Sequence, residues 1–256
     1  MAPPRVIPVP FATDTLDQLA ADLSALPGAA GGDLAAALVL LPGSRACRDL
    51  GHLLLERAAG GVVLLPRIVT PTRWALEMAT ATGLDADRIP DDRLRPLVLA
   101  PRLARLPWLA ERPESAPGLA RELVAFFDEA RLAERPELLD ADGPDAASLP
   151  GVRPAEAPVV AQDLARVREA WRLYREVVPR DGVDRLVDLS RALRRQPPAP
   201  RQRPRMALAA GFGRIDVVRG RLLRAALDTG EDGRLYVPTA AAGLARAFVA
   251  TWGREP

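Results

Sequence analysis

AALVLLPGSRACRDLGHLLLERAAGGVVLLPRIVTPTRWA, residues 36–75, spells strand, turn, helix, strand, turn, helix. Residues 36–41 are an unbroken apolar run, the pattern of a strand covered on both faces of a parallel sheet. Pro42-Gly43 ends the run, and Ser44 stands where it can cap a helix over 44–58. Gly60-Gly61 closes that helix, and VVLLP at 62–66 supplies another buried strand. Pro71 behind Thr70 then opens the next helix. This order predicts right-handed crossovers, and hence an α/β fold with a parallel sheet and helices on both faces.

Outward from this stretch the pattern is of two kinds. Toward the N-terminus, RVIPV at 5–9 is a short strand compromised by Pro8. The segment that follows puts Leu16, Leu19, Ala20, Leu23 and Leu26 on one helical face, with Asp14 as cap and Pro27-Gly28 as stop. Beyond residue 75 strand signals vanish. Helices are predicted near 92–107, 118–133, 158–178 and 182–195, with an irregular Pro-, Asp- and Gly-rich connection over 134–157. QPPAPRQRP at 196–204 reads as a stiff, extended linker. MALAAG at 206–211 is again a buried strand, followed by a helix at 216–228, a strand at 234–238 and a helix at 239–252. The predicted organisation is an α/β lobe begun over 1–75, a helical insertion over 76–196, a Pro-rich linker over 197–204, and a return to the lobe over 205–256.

Composition removes several engines. All 35 basic residues are arginine, so neither a phosphate-binding G-x-x-x-x-G-K-[ST] loop nor the lysine of an ExK nuclease can be built. Against 33 acids the net charge is only +2, which announces no general affinity for nucleic acid. One cysteine, Cys47, excludes an intrachain disulfide, and with the single His52 it cannot form a Cys/His zinc site. Cys47 falls on the apolar side of helix 44–58, and His52 reads as solvated. No apolar run reaches the roughly 20 residues a membrane span requires, and MAPPRVIPVP lacks the uninterrupted apolar region expected of a signal peptide. The chain reads as cytoplasmic, with no membrane partner.

The two strand–turn–helix units carry what chemistry there is. In the first, Ser44 and Arg45 bring a hydroxyl and a cation to a helix N-terminus, a place suited to a phosphate. In the second, Arg67, Thr70, Thr72 and Arg73 offer phosphate donors, and Trp74 one flat surface for stacking a base. The layout resembles two successive motifs of superfamily-1 helicases that contact single-stranded DNA. The preceding element, VIPVPFATDTLDQLA, takes the place of their ATP loop but lacks its glycines and lysine. Asp14 there sets a carboxylate where a phosphate would lie, so no nucleotide hydrolysis is expected.

Taken with RMALAAGFGRIDVVRGRLLRAALDTGEDGRLYVP at 205–238, the stretch VLLPGSRACRDLGHLLLE…GGVVLLPRIVTP resembles the N-terminal region of AddB-type proteins, helicase–nuclease subunits grouped with the PD-(D/E)XK nucleases. The resemblance implies a superfamily-1 helicase-like 1A lobe that is catalytically inert. Its implied partners are DNA, as single strands or duplex ends, and an AddA-like motor subunit that holds the ATP. The implied work is resection of double-strand breaks for recombination. The family's nuclease, with Mg and an iron–sulfur cluster, lies far downstream, so the chain reads as an N-terminal portion with no catalytic residue, metal or cofactor of its own.

Two other readings compete: an inert scaffold that binds protein but not DNA, and a small-molecule α/β enzyme. The enzyme lacks a G-x-G-x-x-G loop, a nucleophile elbow and a usable histidine. Gly213-Arg214-Ile215-Asp216 imitates the G-x-x-D opening of a nuclease, but RLYV at 234–237 supplies no second acid, and a helix N-terminus is the better reading. Asp91-Asp92 and Asp140/Asp142 read as loop caps. The arginines over 166–195 alternate with acids and predict a salt-bridged surface.

Overall fold

The computed structural model describes residues 4–10, 12–26, 33–58, 63–82, 92–195, 204–212 and 215–239. It divides into two compact units. One comprises Met1–Asp85, Leu189–Ile215 and Arg219–Pro256, and the other Ala86–Asp188 with Asp216–Val218. The helical insertion was expected over 76–196. The predicted helix at 239–252, apart from Thr239, which ends a strand, and nearly all of the linker lie outside the described residues.

The first unit is built on a five-stranded, wholly parallel sheet. Its strands are β1 (Arg5–Pro10), β2 (Ala37–Leu40), β3 (Arg67–Val69), β4 (Met206–Ala210) and β5 (Asp232–Thr239), in the order β1-β5-β4-β2-β3. The predicted strands 36–41 and 206–211 are therefore neighbours, with Val39 facing Leu208 and Ile68 across the two ladders. Connections run one way along the sheet from β1 to β3 and the other way from β3 to β5. Right-handed crossovers then place their helices on opposite faces. One face packs α1 (Thr15–Ser24) and α2 (Ser44–Arg57) through Leu19, Leu23, Leu50 and Leu54 onto Val39, Leu208 and Tyr236. The alternating residues Leu38, Leu40, Ala207, Ala209 and Leu235 are buried as well, so the central strands are covered on both sides. Helices α3 (Pro71–Thr82) and α8 (Val217–Leu227) lie in this sheet region as well.

One strand is displaced from its expected place. Of VVLLP at 62–66, the described residues 63–66 contribute only an isolated bridge, Leu64 to Asp33, and the ladder to β2 runs over Arg67–Val69 instead. Leu64 and Leu65 are exposed. The physical reason is that Pro66 has no N–H to offer a ladder, while β3 is an edge strand needing one partner only. An edge tolerates Arg67, which apolarity alone would pass over.

The second unit contains α4 (Arg95–Leu103), α5 (Ala116–Leu132), α6 (Ala157–Val177) and the start of α7 (Gly182–Arg195). Its core gathers Leu99, Leu103, Ala120, Phe127, Ala170 and Tyr174, with Trp171 edge-on to Phe127 at 5.0 Å between ring centroids. Ions sit inside this core. Asp181 is fully buried and accepts from Arg131 Nη1 and Nη2 at 2.9 and 2.8 Å, from Tyr174 Oη at 2.6 Å and from Arg95 Nη1 at 3.3 Å. Both arginines also donate to Asp128. The same Asp181 caps α7, accepting from the Val183 and Asp184 amides, while Asp184 Oδ2 accepts from the Asp181 amide at 3.0 Å, a reciprocal capping box. The salt-bridged surface expected over 166–195 is thus partly an interior feature, carried by arginines from α4 and α5.

Candidate nucleic-acid interface

Parallel neighbours send their C-terminal ends to one edge of the sheet, so the turns after β2 and β3 leave from the same edge. The direction of the connections reverses between β2 and β4, which makes their C-terminal ends the topological switch point where open α/β sheets bind ligands. Gly211, just past β4, has φ of +80°, and a Cβ there would stand 3.3 Å from Pro42 Cδ. The β4 turn therefore lies directly against the β2 turn, and only glycine adopts that backbone cheaply.

Ser44 opens α2, and Gly43 before it is extended, with no side-chain hydrogen bond over the first turn. Those N–H groups carry the positive end of the helix dipole. Arg45 adds a cation there with 90% of its side chain exposed, and Asp49 is only 3.7 Å away as a surface partner. Arg48 is exposed and makes no ion pair among the described residues. A cation at a helix N-terminus is electrostatically reversed, and an anion compensates both charges together.

The second turn is organised differently. Thr70 Oγ1 accepts from the Arg73 amide at 3.2 Å and caps α3. Arg67 from β3 and Arg73 from α3 both bind the Glu77 carboxylate, Arg73 Nε at 2.6 Å. Burial pushes the Glu77 carboxyl up, but the two guanidinium bonds outweigh it and hold it below the usual carboxylate range. These two expected phosphate cations share one acid, which cancels one of their two charges. Thr72 is half-buried. Trp74 is 1% exposed, so the expected stacking surface is turned into the core and offers no face to a base. The pattern of a tryptophan two residues past a helix-opening Thr fits core packing as well as stacking, and packing is what is found.

Elsewhere the described residues narrow the chemistry. Asp14 accepts from the Leu16 amide at 2.8 Å, so a carboxylate occupies the N-terminus of α1. Asp216 directly precedes α8, whereas Gly213 and Arg214 lie outside the described residues. Cys47 is half-buried against the apolar cluster under α2, and burial pushes its thiol up, away from thiolate reactivity. His52 is exposed. Burial raises the Asp181 carboxyl, but Arg131 and Tyr174 overcome that and hold it far below the ordinary range, so it is too weak a base for proton transfer near neutrality. Burial and the Asp181 charge together raise the Tyr174 hydroxyl. Among the described residues no group of three or more His, Cys, Asp and Glu could hold a metal, and no helix is long and apolar enough to cross a membrane.

The turn after β4 is what sequence reasoning missed. Its glycine was legible, but its place beside the β2 turn depends on strand order, which no local pattern reveals. Comparison of the chain with protein-family models and with curated protein sequences found no match.

Proposed function

We propose that the sheet unit is a helicase-like lobe that grips single-stranded DNA phosphates without hydrolysing nucleotide. In this reading the chain is the N-terminal, inert portion of an AddB-type subunit, working beside an AddA-like motor in double-strand break repair. The observation that carries it is the first turn of α2: uncapped amides, Ser44 and an exposed Arg45, set at the switch point between β2 and β4. Asp14 at the α1 N-terminus supports the absence of a nucleotide site at the first loop. Arg67 and Arg73 contribute less than their position suggests, because Glu77 already holds them.

A fluorescence titration of the chain with a labelled single-stranded oligonucleotide, repeated across salt concentrations, tests this. Each phosphate contact contributes about −0.7 to the slope of log K against log salt for single strands. Arg45→Ala should flatten that slope by about one such contact and weaken binding more than Arg73→Ala does. Glu77→Gln, which releases two cations, should tighten binding several-fold and steepen the slope. Affinity that ignores salt, or that is untouched by Arg45→Ala, would remove the proposal. Total absence of oligonucleotide binding would favour the protein scaffold, the reading that the Arg67–Glu77–Arg73 pairing supports.

A further inference from the structure

Positive charge is unevenly spread along this chain. Between Leu189 and Ile215 stand seven of its 35 arginines and none of its 33 acids, so the rest of the chain is net negative. Like charges so concentrated repel one another, and an anion that binds them relieves the repulsion. Both ends of this block are described, and both belong to the sheet unit.

One end is the last part of α7. Leu186, Leu189, Ser190 and Leu193 are buried there, while Arg191, Arg194 and Arg195 are exposed on the side turned away from them. Residues three and four apart are neighbours on a helix surface. The one acid within that reach of these arginines along α7 is Asp188, and it already accepts from Arg180 Nη2 at 2.8 Å. The negative end of the helix dipole offers about half a charge, too little to balance three guanidinium groups. At the other end of the block Arg205 is exposed, and its backbone is pinned to the sheet. Its amide donates to the Ala36 carbonyl at 2.9 Å, and its own carbonyl accepts from the Asp232 amide at 3.2 Å. The Asp232 carboxylate is itself taken by Arg5 and Arg234.

Chemistry narrows what these groups hold. Planar, permanently charged guanidinium forks suit phosphate oxygens. Lying on a lipid surface would require apolar side chains to enter it, and the leucines of this part of α7 are buried. We infer that Arg191, Arg194, Arg195 and Arg205 form a second set of phosphate contacts for a nucleic-acid single strand. Arg205 precedes β4 and the α2 turn follows β2, so the two sets include contacts at opposite ends of parallel strands. The choice of a nucleic acid among polyanions rests on the single-strand reading of the α2 turn, whereas the basic block does not.

The test is titration of the full chain with a labelled oligothymidylate across salt concentrations. Changing Arg191→Gln, Arg194→Gln and Arg195→Gln together should weaken binding at least tenfold at low salt and flatten the slope of log K against log salt by about 2. Arg205→Gln should flatten it by about one contact, roughly 0.7, and stands as an independent arm if the triple variant misfolds. The matching triple change to Lys should keep the parent slope, because it keeps the charges. All four positions are exposed, so circular dichroism should be unchanged. The losses should add to that of Arg45→Ala. A slope flattened by the Gln variants but not by Arg45→Ala would sink the α2 reading and leave this one standing, and the reverse would sink this one alone. An unchanged slope, an equal loss in the Lys variant, or no oligonucleotide binding at all would overturn the inference. So would equal competition by polyglutamate, or tighter binding to phosphatidylserine vesicles than to the oligonucleotide.

Discussion

The two units solve the same problem by different chemistry. In the sheet unit the centre is apolar throughout: Val39, Leu40, Ala207, Leu208, Ala209 and Ala210 are all fully buried, and hydrogen-bonded ladders hold their register. Among the described residues of the helical unit no ladder fixes one element against another, and Arg95, Arg131, Tyr174 and Asp181 take that place from four parts of the chain. Helices can slide on an apolar interface, whereas a buried carboxylate with two guanidinium partners has one position that satisfies it. A chain whose only strong cations are arginines has forked, permanently charged donors available for this work.

The largest way to break the contrast is to remove the shared carboxylate. Asp181→Ala leaves two buried guanidinium groups sharing Asp128, with Asp184 the one further acid on Arg131, and strips the α7 cap, which should cost about 3–5 kcal/mol. Denaturant melting should report the loss, and hydrogen exchange should place it in the helical unit. Leu40→Ala is the matching change in the sheet, expected to cost about 2–5 kcal/mol through a cavity, with exchange accelerated in β2 and its neighbours. If both changes produced the same exchange pattern, the division of labour would be wrong.

Acid should sharpen the same comparison. The folded-state pKa of Asp181 lies below that of an unfolded aspartate, about 3.9, so its contribution is present above that value and is lost as pH falls through and below it. Glu77 and Asp232 in the sheet unit are also held low, but they are partly exposed and screened, so their share is smaller. Between about pH 5 and pH 2 the helical unit should lose protection first, and Asp181→Asn should flatten that dependence. The smallest effect expected is that of Gly211→Ala, about 1–2 kcal/mol from forcing a Cβ into the left-handed region against Pro42. It should also disturb the α2 turn, read as weaker oligonucleotide binding.

The sheet was legible because its strands write themselves as apolar runs bounded by Pro and Gly, as at 36–43 and 206–211. β3 was misplaced because an edge strand that pairs on one side only can be Arg-Ile-Val, with no apolar signature. The helices were legible from their periodicity, Val160 to Val178 above all. The ion network was not, because Arg95, Asp128, Arg131 and Asp181 look like ordinary surface charges until their helices are packed. Arg45 stands exposed at a helix start, where the turn pattern placed it, but Ser44 lies inside the first turn of α2, with Gly43 in the cap position and no side-chain bond to the helix amides. Trp74 is not exposed as that pattern implied, since apolar contact and base stacking write the same residue in the same place.

Photo-crosslinking of a single-stranded oligonucleotide to the full chain, with the modified peptides mapped by mass spectrometry, tests the central assignment most directly. Crosslinks are expected on the β2–α2 turn around Ser44 and Arg45 and on the adjoining Gly211–Phe212 turn, diminished by Arg45→Ala and by salt. Crosslinks confined to the helical unit, or none at any salt concentration, would contradict it.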